Sequence, residues 1–111
     1  MKSKISLAIL TTILIGGILF FTTYFAYEES DEFYNFPIPK NAQLLSGNEN
    51  VAIYNWSKAT EENGIPFVYE IIIKSKGWRN VGREGASTYY EKEGHIIDLI
   101  SQTDELTIIA K

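Results

Sequence analysis

The chain has 111 residues, no cysteine and a formal net charge of −4 at pH 7. Without cysteine it can form no disulfide and carry out no thiol chemistry. Small secreted eukaryotic domains are commonly rich in disulfides, so this composition favours a bacterial envelope protein. The acidic balance argues against nucleic acid as a partner.

The first feature along the chain is an apolar run at residues 5–26 that contains no ionisable side chain. As a helix this run would be roughly 33 Å long, against about 30 Å of bilayer hydrocarbon. It is longer than the apolar core of a cleaved signal peptide, and Tyr24 stands where cleavage after Ala26 would need a small residue. The run therefore predicts an uncleaved, single-pass transmembrane helix.

The flanking charges predict the orientation of this helix. Lys2 and Lys4 precede the run, whereas Glu28, Glu29 and Asp31 follow it. Because basic residues stay on the cytoplasmic side, residues 1–4 are expected in the cytoplasm and the C-terminal part outside the cell membrane.

Three small residues, Ala8, Thr12 and Gly16, recur at every fourth position of the predicted helix. This spacing places them on one stripe, where a second transmembrane helix can approach closely. The stripe is a candidate helix contact, although small residues also occur in spans without such a role.

Residues 27–36 mix acidic and aromatic side chains without a sustained period, which predicts an extracytoplasmic stalk. Two alternatives stay open for Phe33, Tyr34 and Phe36: packing onto the domain, or dipping into the membrane interface.

Residues 37–111 are predicted to form a small α+β domain of order ββαβββ, an antiparallel sheet with one helix packed on one face. The predicted strands are 42–46, 51–57, 86–92, 95–101 and 106–111. Between the second and third strands Gly82 to Ser87 is interpreted as a bend.

The predicted helix begins at Pro66 and ends before Gly77, residues typical of those two positions. Its expected core-facing stripe is Phe67, Val68, Ile71, Ile72 and Ser75. In a cap of this kind Trp78 folds back towards Ile73.

The entry FPIPKNAQLL at residues 36–45, the helix end Lys76-Gly77-Trp78 and the β-rich finish carry a resemblance. Over residues 36–111 the chain resembles an uncharacterised group of short membrane-anchored extracytoplasmic proteins of low-GC Gram-positive bacteria. The resemblance implies a tethered ββαβββ module and brings no catalytic residues. Lipoprotein members of the group carry a lipid-bearing cysteine; this chain has none, so a helix must tether it.

Candidate chemistry is sparse. His95 is the only histidine, and the nearby acids Glu91, Glu93 and Asp98 do not have the spacing of a recognised metal motif. No metal or cofactor site is predicted. The glycine-rich stretch 82–87 lacks the lysine and the strand-to-helix setting of a phosphate-binding loop.

Four aromatic residues, Tyr54, Trp56, Tyr89 and Tyr90, are candidates for stacking on a partner. Because alternate strand positions face inward, half of them are expected in the core instead.

The sequence therefore predicts a non-catalytic, membrane-tethered binding or regulatory module of the bacterial envelope. Its expected partners are the lipid bilayer, through the N-terminal helix, and an envelope protein or wall polymer. Two alternatives stay open: a small cell-wall glycan hydrolase acting through Glu61 or Glu91, and an accessory subunit that acts through its span.

Overall fold

The computed structural model describes residues 9–15 and 26–111. Residues 9–15 are helical with exposed side chains. Within these two ranges no helix combines the length and the apolar character that a bilayer crossing needs. Most of the predicted span at 5–26, with Ala8 and Gly16 of the predicted contact stripe, lies outside the described residues.

Residues 27–111 form eight strands and one α-helix, in an α+β arrangement dominated by antiparallel sheet. The elements are β1 (Tyr27–Ser30), β2 (Phe36–Pro39), β3 (Gln43–Gly47), β4 (Val51–Asn55), α1 (Phe67–Ser75), β5 (Arg79–Glu84), β6 (Ser87–Lys92), β7 (His95–Gln102) and β8 (Glu105–Ala110). The predicted α+β class and antiparallel pairing are confirmed.

The main sheet has six strands in the order β3-β4-β8-β7-β6-β5, and every neighbouring pair is antiparallel. Tight turns join β5 through β8, as at Glu93 and Gly94, which have φ of 52° and 84°. Two such residues in succession suit the right-handed twist of the strands they connect. Strands β3 and β5 are the edges of the sheet, and β4, β8, β7 and β6 are its interior strands.

Residues 28–36 differ from the predicted stalk. They form β1, a 3-10 turn at Asp31–Phe33 and the start of β2, and β1 pairs with β2 as a separate hairpin. Phe33 and Phe36 are buried in the core, so of the two alternatives for these side chains the structure has the packed one. The sequence does not show a strand alternation in this segment, because the 3-10 turn interrupts it. The four acidic residues of the segment are exposed to solvent.

Four strands follow α1, where three were predicted. The additional strand is β5, which contains Gly82 and shows a register shift between Asn80 and Gly82. The bend predicted at 82–87 is confined to Gly85 and Ala86. Glycine within a strand often marks such a bulge, which is why the pattern resembled a bend.

Helix α1 ends as predicted but faces a different way. Gly77 has φ of 92°, and the Trp78 N–H donates to the Ile73 carbonyl at 3.3 Å, closing the expected cap. The predicted core-facing stripe is wrong in part, since Phe67 is 73% exposed and Ile71 is also exposed. The buried residues are Tyr69, Ile72 and Ile73.

One hydrophobic core lies between the sheet and a layer made of the β1–β2 hairpin and α1. Sheet residues of one face, among them Ile97, Leu99 and Leu106, pack against Phe36 of the hairpin and Tyr69 of α1. The Tyr69 hydroxyl donates a buried 2.7 Å hydrogen bond to the Pro37 carbonyl and so joins the helix to the hairpin. Both covering elements therefore lie on the same side of the sheet.

Candidate functional site: the open face of the sheet

The sheet has a second face, opposite the core, that no described helix or strand covers. We call it the open face and define it by the side chains around Asp98 that alternate with the core residues: Val51, Ile53, Tyr89, Ile96, Ile100, Thr107 and Ile109. Strand alternation fixes this assignment, because Ile97 and Leu99, on either side of Asp98, belong to the core. The hairpin and α1 both lie on the core side.

Aliphatic side chains dominate the centre of the open face. Val51 and Ile109 are cross-strand neighbours, as are Ile109 and Asp98. Ile96 and Ile100 lie two positions to either side of Asp98 on β7, and all four aliphatic residues are half-buried. These central strands are thus apolar on both faces, as is usual when both faces of a sheet are covered.

Polar residues surround this apolar centre. Along one margin Arg79 of β5 donates from Nη2 to Oε2 of Glu91 on β6 at 2.7 Å. At one end of the sheet Asn55, Glu105 and Gln102 occupy a cross-strand row. An apolar centre within a polar rim is the usual arrangement of a protein contact surface.

Asp98 is the charged residue at the centre of this face, and only 4% of it is exposed. Its Oδ1 is shielded from solvent and accepts no hydrogen bond from any described residue. Tyr89 and Ile109 lie directly opposite it on the two adjacent strands. A buried polar oxygen without a donor is costly, because it has lost water and gained nothing in exchange.

Tyr89 supplies the aromatic surface of the open face. It is half-buried, and its cross-strand neighbour on β5 is Gly82, which has no side chain. Apart from Gly82 and its two chain neighbours, no residue has an atom within 4 Å of the point where a Cβ on Gly82 would be. One side of the Tyr89 ring is therefore not covered by a cross-strand side chain.

The other three predicted stacking residues lie on the covered side. Trp56 is 3% exposed and makes edge contacts with Tyr27 and Tyr69, at centroid distances of 6.3 and 5.5 Å. Tyr90 is 1% exposed, and Tyr54 is half-buried against the core. Only Tyr89 of the four belongs to the open face, so the structure does not bring the predicted set together.

Burial changes the acid–base behaviour of the core tyrosines. It raises the pKa of Tyr90 to about 12, with the carboxylate of Glu70 adding to the rise and Arg83 opposing it. Burial, assisted by Glu32 and Glu28 of the hairpin, also raises the pKa of Tyr54. These hydroxyls stay protonated at neutral pH and show no activation for catalysis.

A cavity of about 360 Å³ lies between the hairpin turn and the start of β7, lined by Tyr34, Asn35, Trp78, Lys92, Glu93 and His95. The Tyr34 ring stacks on the His95 imidazole, with centroids 3.7 Å apart. Tyr34 and Asn35 both have positive φ, 55° and 64°, which the hairpin turn imposes. Because the cavity wall has one cation and one anion, its chemistry selects no class of ligand.

A second cavity, of about 120 Å³, lies on the core side near Glu70, Arg83 and Ser101. The Ser101 hydroxyl donates to the Thr60 carbonyl at 2.8 Å and so has a structural partner. Within residues 9–15 and 26–111 no three histidine or acidic side chains are grouped to hold a metal ion. Glu61 is exposed in a turn, and Glu91 is held by Arg79.

Comparison with known proteins adds no relative to this description. The chain matches no protein-family model, no curated protein and no solved structure.

Asp98 is the functional candidate that sequence reasoning did not single out. The signal was present in β7, where Ile96, Asp98 and Ile100 share one face while Ile97 and Leu99 share the other. A strand that is apolar on both faces indicates cover on both.

Proposed function

We propose that this protein is a membrane-tethered, extracytoplasmic binding or regulatory module without catalytic activity, and that the open face is its contact surface. The observation that carries the proposal is the apolar centre of that face on β4, β7 and β8, with the buried Asp98 inside it. A solvated sheet face is usually polar, whereas this one has the composition of a face that another surface covers.

The tethered location rests on the apolar run at 5–26 and on Lys2 and Lys4 before it. The β1–β2 hairpin keeps the domain close to the predicted span. Since β1 begins at Tyr27 and packs into the domain, little free chain separates the predicted span from the folded part. The open face is then held close to the outer surface of the bilayer, where partners of the same membrane are within reach.

The test is photo-cross-linking from defined positions of the full chain in the cells that make it. A photoreactive side chain at Tyr89 lies on the open face, and the matched control is Lys58, which is exposed in the loop after Trp56. We expect the same envelope component to be captured repeatedly from position 89 and not from position 58. No capture from 89, or equal capture from both positions, would contradict the proposal.

A further inference from the structure

We propose that the partner of the open face is a protein that brings one cationic side chain, arginine or lysine, to Asp98 within an otherwise apolar contact. This inference rests on the proposed function and names the chemistry of its partner. It also assigns Asp98 a role as the specificity residue of the surface.

Asp98 is buried, and one oxygen of its carboxylate has no hydrogen-bond donor among the described residues. It is 4% exposed, its neighbours on the adjacent strands are Tyr89 and Ile109, and Oδ1 receives no hydrogen bond from the described residues. A partner that covers this face would remove the remaining solvent from the carboxylate. A donor on that partner would compensate for this loss, and a cation does so best.

Among residues 26–111, the cations near this face form no salt bridge with Asp98. Arg79 is engaged by Glu91 at 2.7 Å. Lys111 is the other candidate, because its backbone N–H donates to the Ile96 carbonyl beside Asp98. Its side chain is exposed, and neither of the salt bridges within the described residues involves it. The test must still exclude it directly.

A protein fits this face better than a wall glycan or a second copy of the chain. Around Asp98 the side chains are mainly aliphatic, and Tyr89 and Thr107 add only two hydroxyls with which to pair the many hydroxyls of a glycan. A second copy of this chain, paired symmetrically through the same centre, would bring two Asp98 carboxylates into one desolvated contact, where like charges repel. A protein surface with apolar side chains around one arginine or lysine fits both the apolar composition and the charge of the open face.

The experiment uses the full chain with the photoreactive side chain at position 89 in its native cells. Asp98→Asn keeps the size of the residue and removes the charge, and Asp98→Leu removes all polar atoms. Glu61→Gln is the matched control, because it neutralises an exposed acid away from the open face. Loss of a desolvated charge pair should lower adduct yield about tenfold or more in both Asp98 variants and leave the control unchanged.

Mapping the adduct gives the second readout. The captured segment must carry an arginine or lysine whose replacement by methionine lowers the adduct yield as much as Asp98→Leu does. Combining this replacement with Asp98→Leu must lower the adduct yield little further. The methionine replacement in the partner is tested with the unaltered chain. It therefore tests the need for a cation even if the Asp98 variants fail to fold.

The outcomes separate the two claims. No adduct from position 89 in the unaltered chain would contradict the proposed function itself. An adduct whose yield is unchanged or higher in Asp98→Leu would leave that function standing and overturn the cationic partner. Capture of a second copy of the chain, or an equal loss in Lys111→Gln, would also overturn it.

Discussion

Replacing Asp98 by leucine should make the isolated protein more stable, even though it removes the residue proposed to recognise a partner. The two side chains are similar in size, and the site is 4% exposed with Ile96, Ile100 and Ile109 around it. An unpaired buried acceptor costs about 1–3 kcal/mol, and leucine adds apolar contacts instead. We expect the free energy of unfolding to rise by about 1–3 kcal/mol.

Urea denaturation of the full chain in detergent, followed by tryptophan fluorescence, measures this change. For a domain of this size each kcal/mol also corresponds to about 4–8 °C in the thermal midpoint. Glu61→Leu, at an exposed turn, is the control and should stay within about 0.5 kcal/mol of the unaltered chain. If Asp98→Leu instead lowered stability by more than about 1 kcal/mol, the carboxylate would have a favourable partner in the folded chain and the reasoning would fail.

Three further predictions test the core. Tyr69→Phe should lower the free energy of unfolding in urea at pH 7 by about 1–2 kcal/mol, because it leaves the Pro37 carbonyl unpaired. Tyr90→Phe should leave it unchanged or raise it, because no described residue accepts from the buried Tyr90 hydroxyl. Equal losses in the two variants would contradict this. Stability should fall as pH rises from about 10 to about 12, because folded Tyr90, with its pKa of about 12, keeps a proton that the unfolded chain has released. Because solvent partly screens this site, Tyr90→Phe should remove only part of that alkaline loss, about 1–2 kcal/mol, in unfolding series at stepped pH. An unchanged pH profile would count against it. Phe36→Ala should lower the free energy of unfolding by about 3–5 kcal/mol, and Phe67→Ala should lower it by less than about 0.5 kcal/mol. The opposite order would be expected if Phe36 lay in a solvated stalk and Phe67 were buried.

Local chemistry made part of the fold predictable. Gly77 is the residue that a left-handed helix end favours, and the backbone there has φ of 92°. The Glu93-Gly94 pair similarly indicated a two-residue turn, which joins β6 to β7 in register. In these places the residue type and the backbone conformation it allows decide the structure with little help from distant contacts.

Tertiary contacts determine the two features that were predicted wrongly, the stalk and the buried face of α1. Phe33 and Phe36 lie among acids, and only their burial in the core, with Phe36 against Trp78, shows that the segment belongs to the domain. In α1 the hydroxyl of Tyr69 hydrogen-bonds the hairpin, which turns that residue inward and leaves Phe67 exposed. A helical period does not contain this information, because the hairpin that covers the helix was itself predicted as a stalk.

The candidate site was predictable in composition but not in position. Alternation indicated that about half of the four aromatic candidates would be core residues, and it did not identify Tyr89 as the one on the open face. That assignment needs the strand order β4-β8-β7-β6, which aligns Val51, Ile109, Asp98 and Tyr89 in one cross-strand row. Strand order depends on pairing between distant segments, which the local patterns of the sequence do not reveal.

Hydroxyl-radical footprinting of Tyr89 tests most directly whether the open face is covered where the protein works. Tyr34 is a control of the same chemistry, because it is 45% exposed on the core side of the sheet. Oxidation of each residue is compared between intact cells and the purified full chain in detergent. The account predicts that oxidation of Tyr89 falls several-fold in cells while that of Tyr34 stays unchanged. Equal oxidation of Tyr89 in both settings would contradict it.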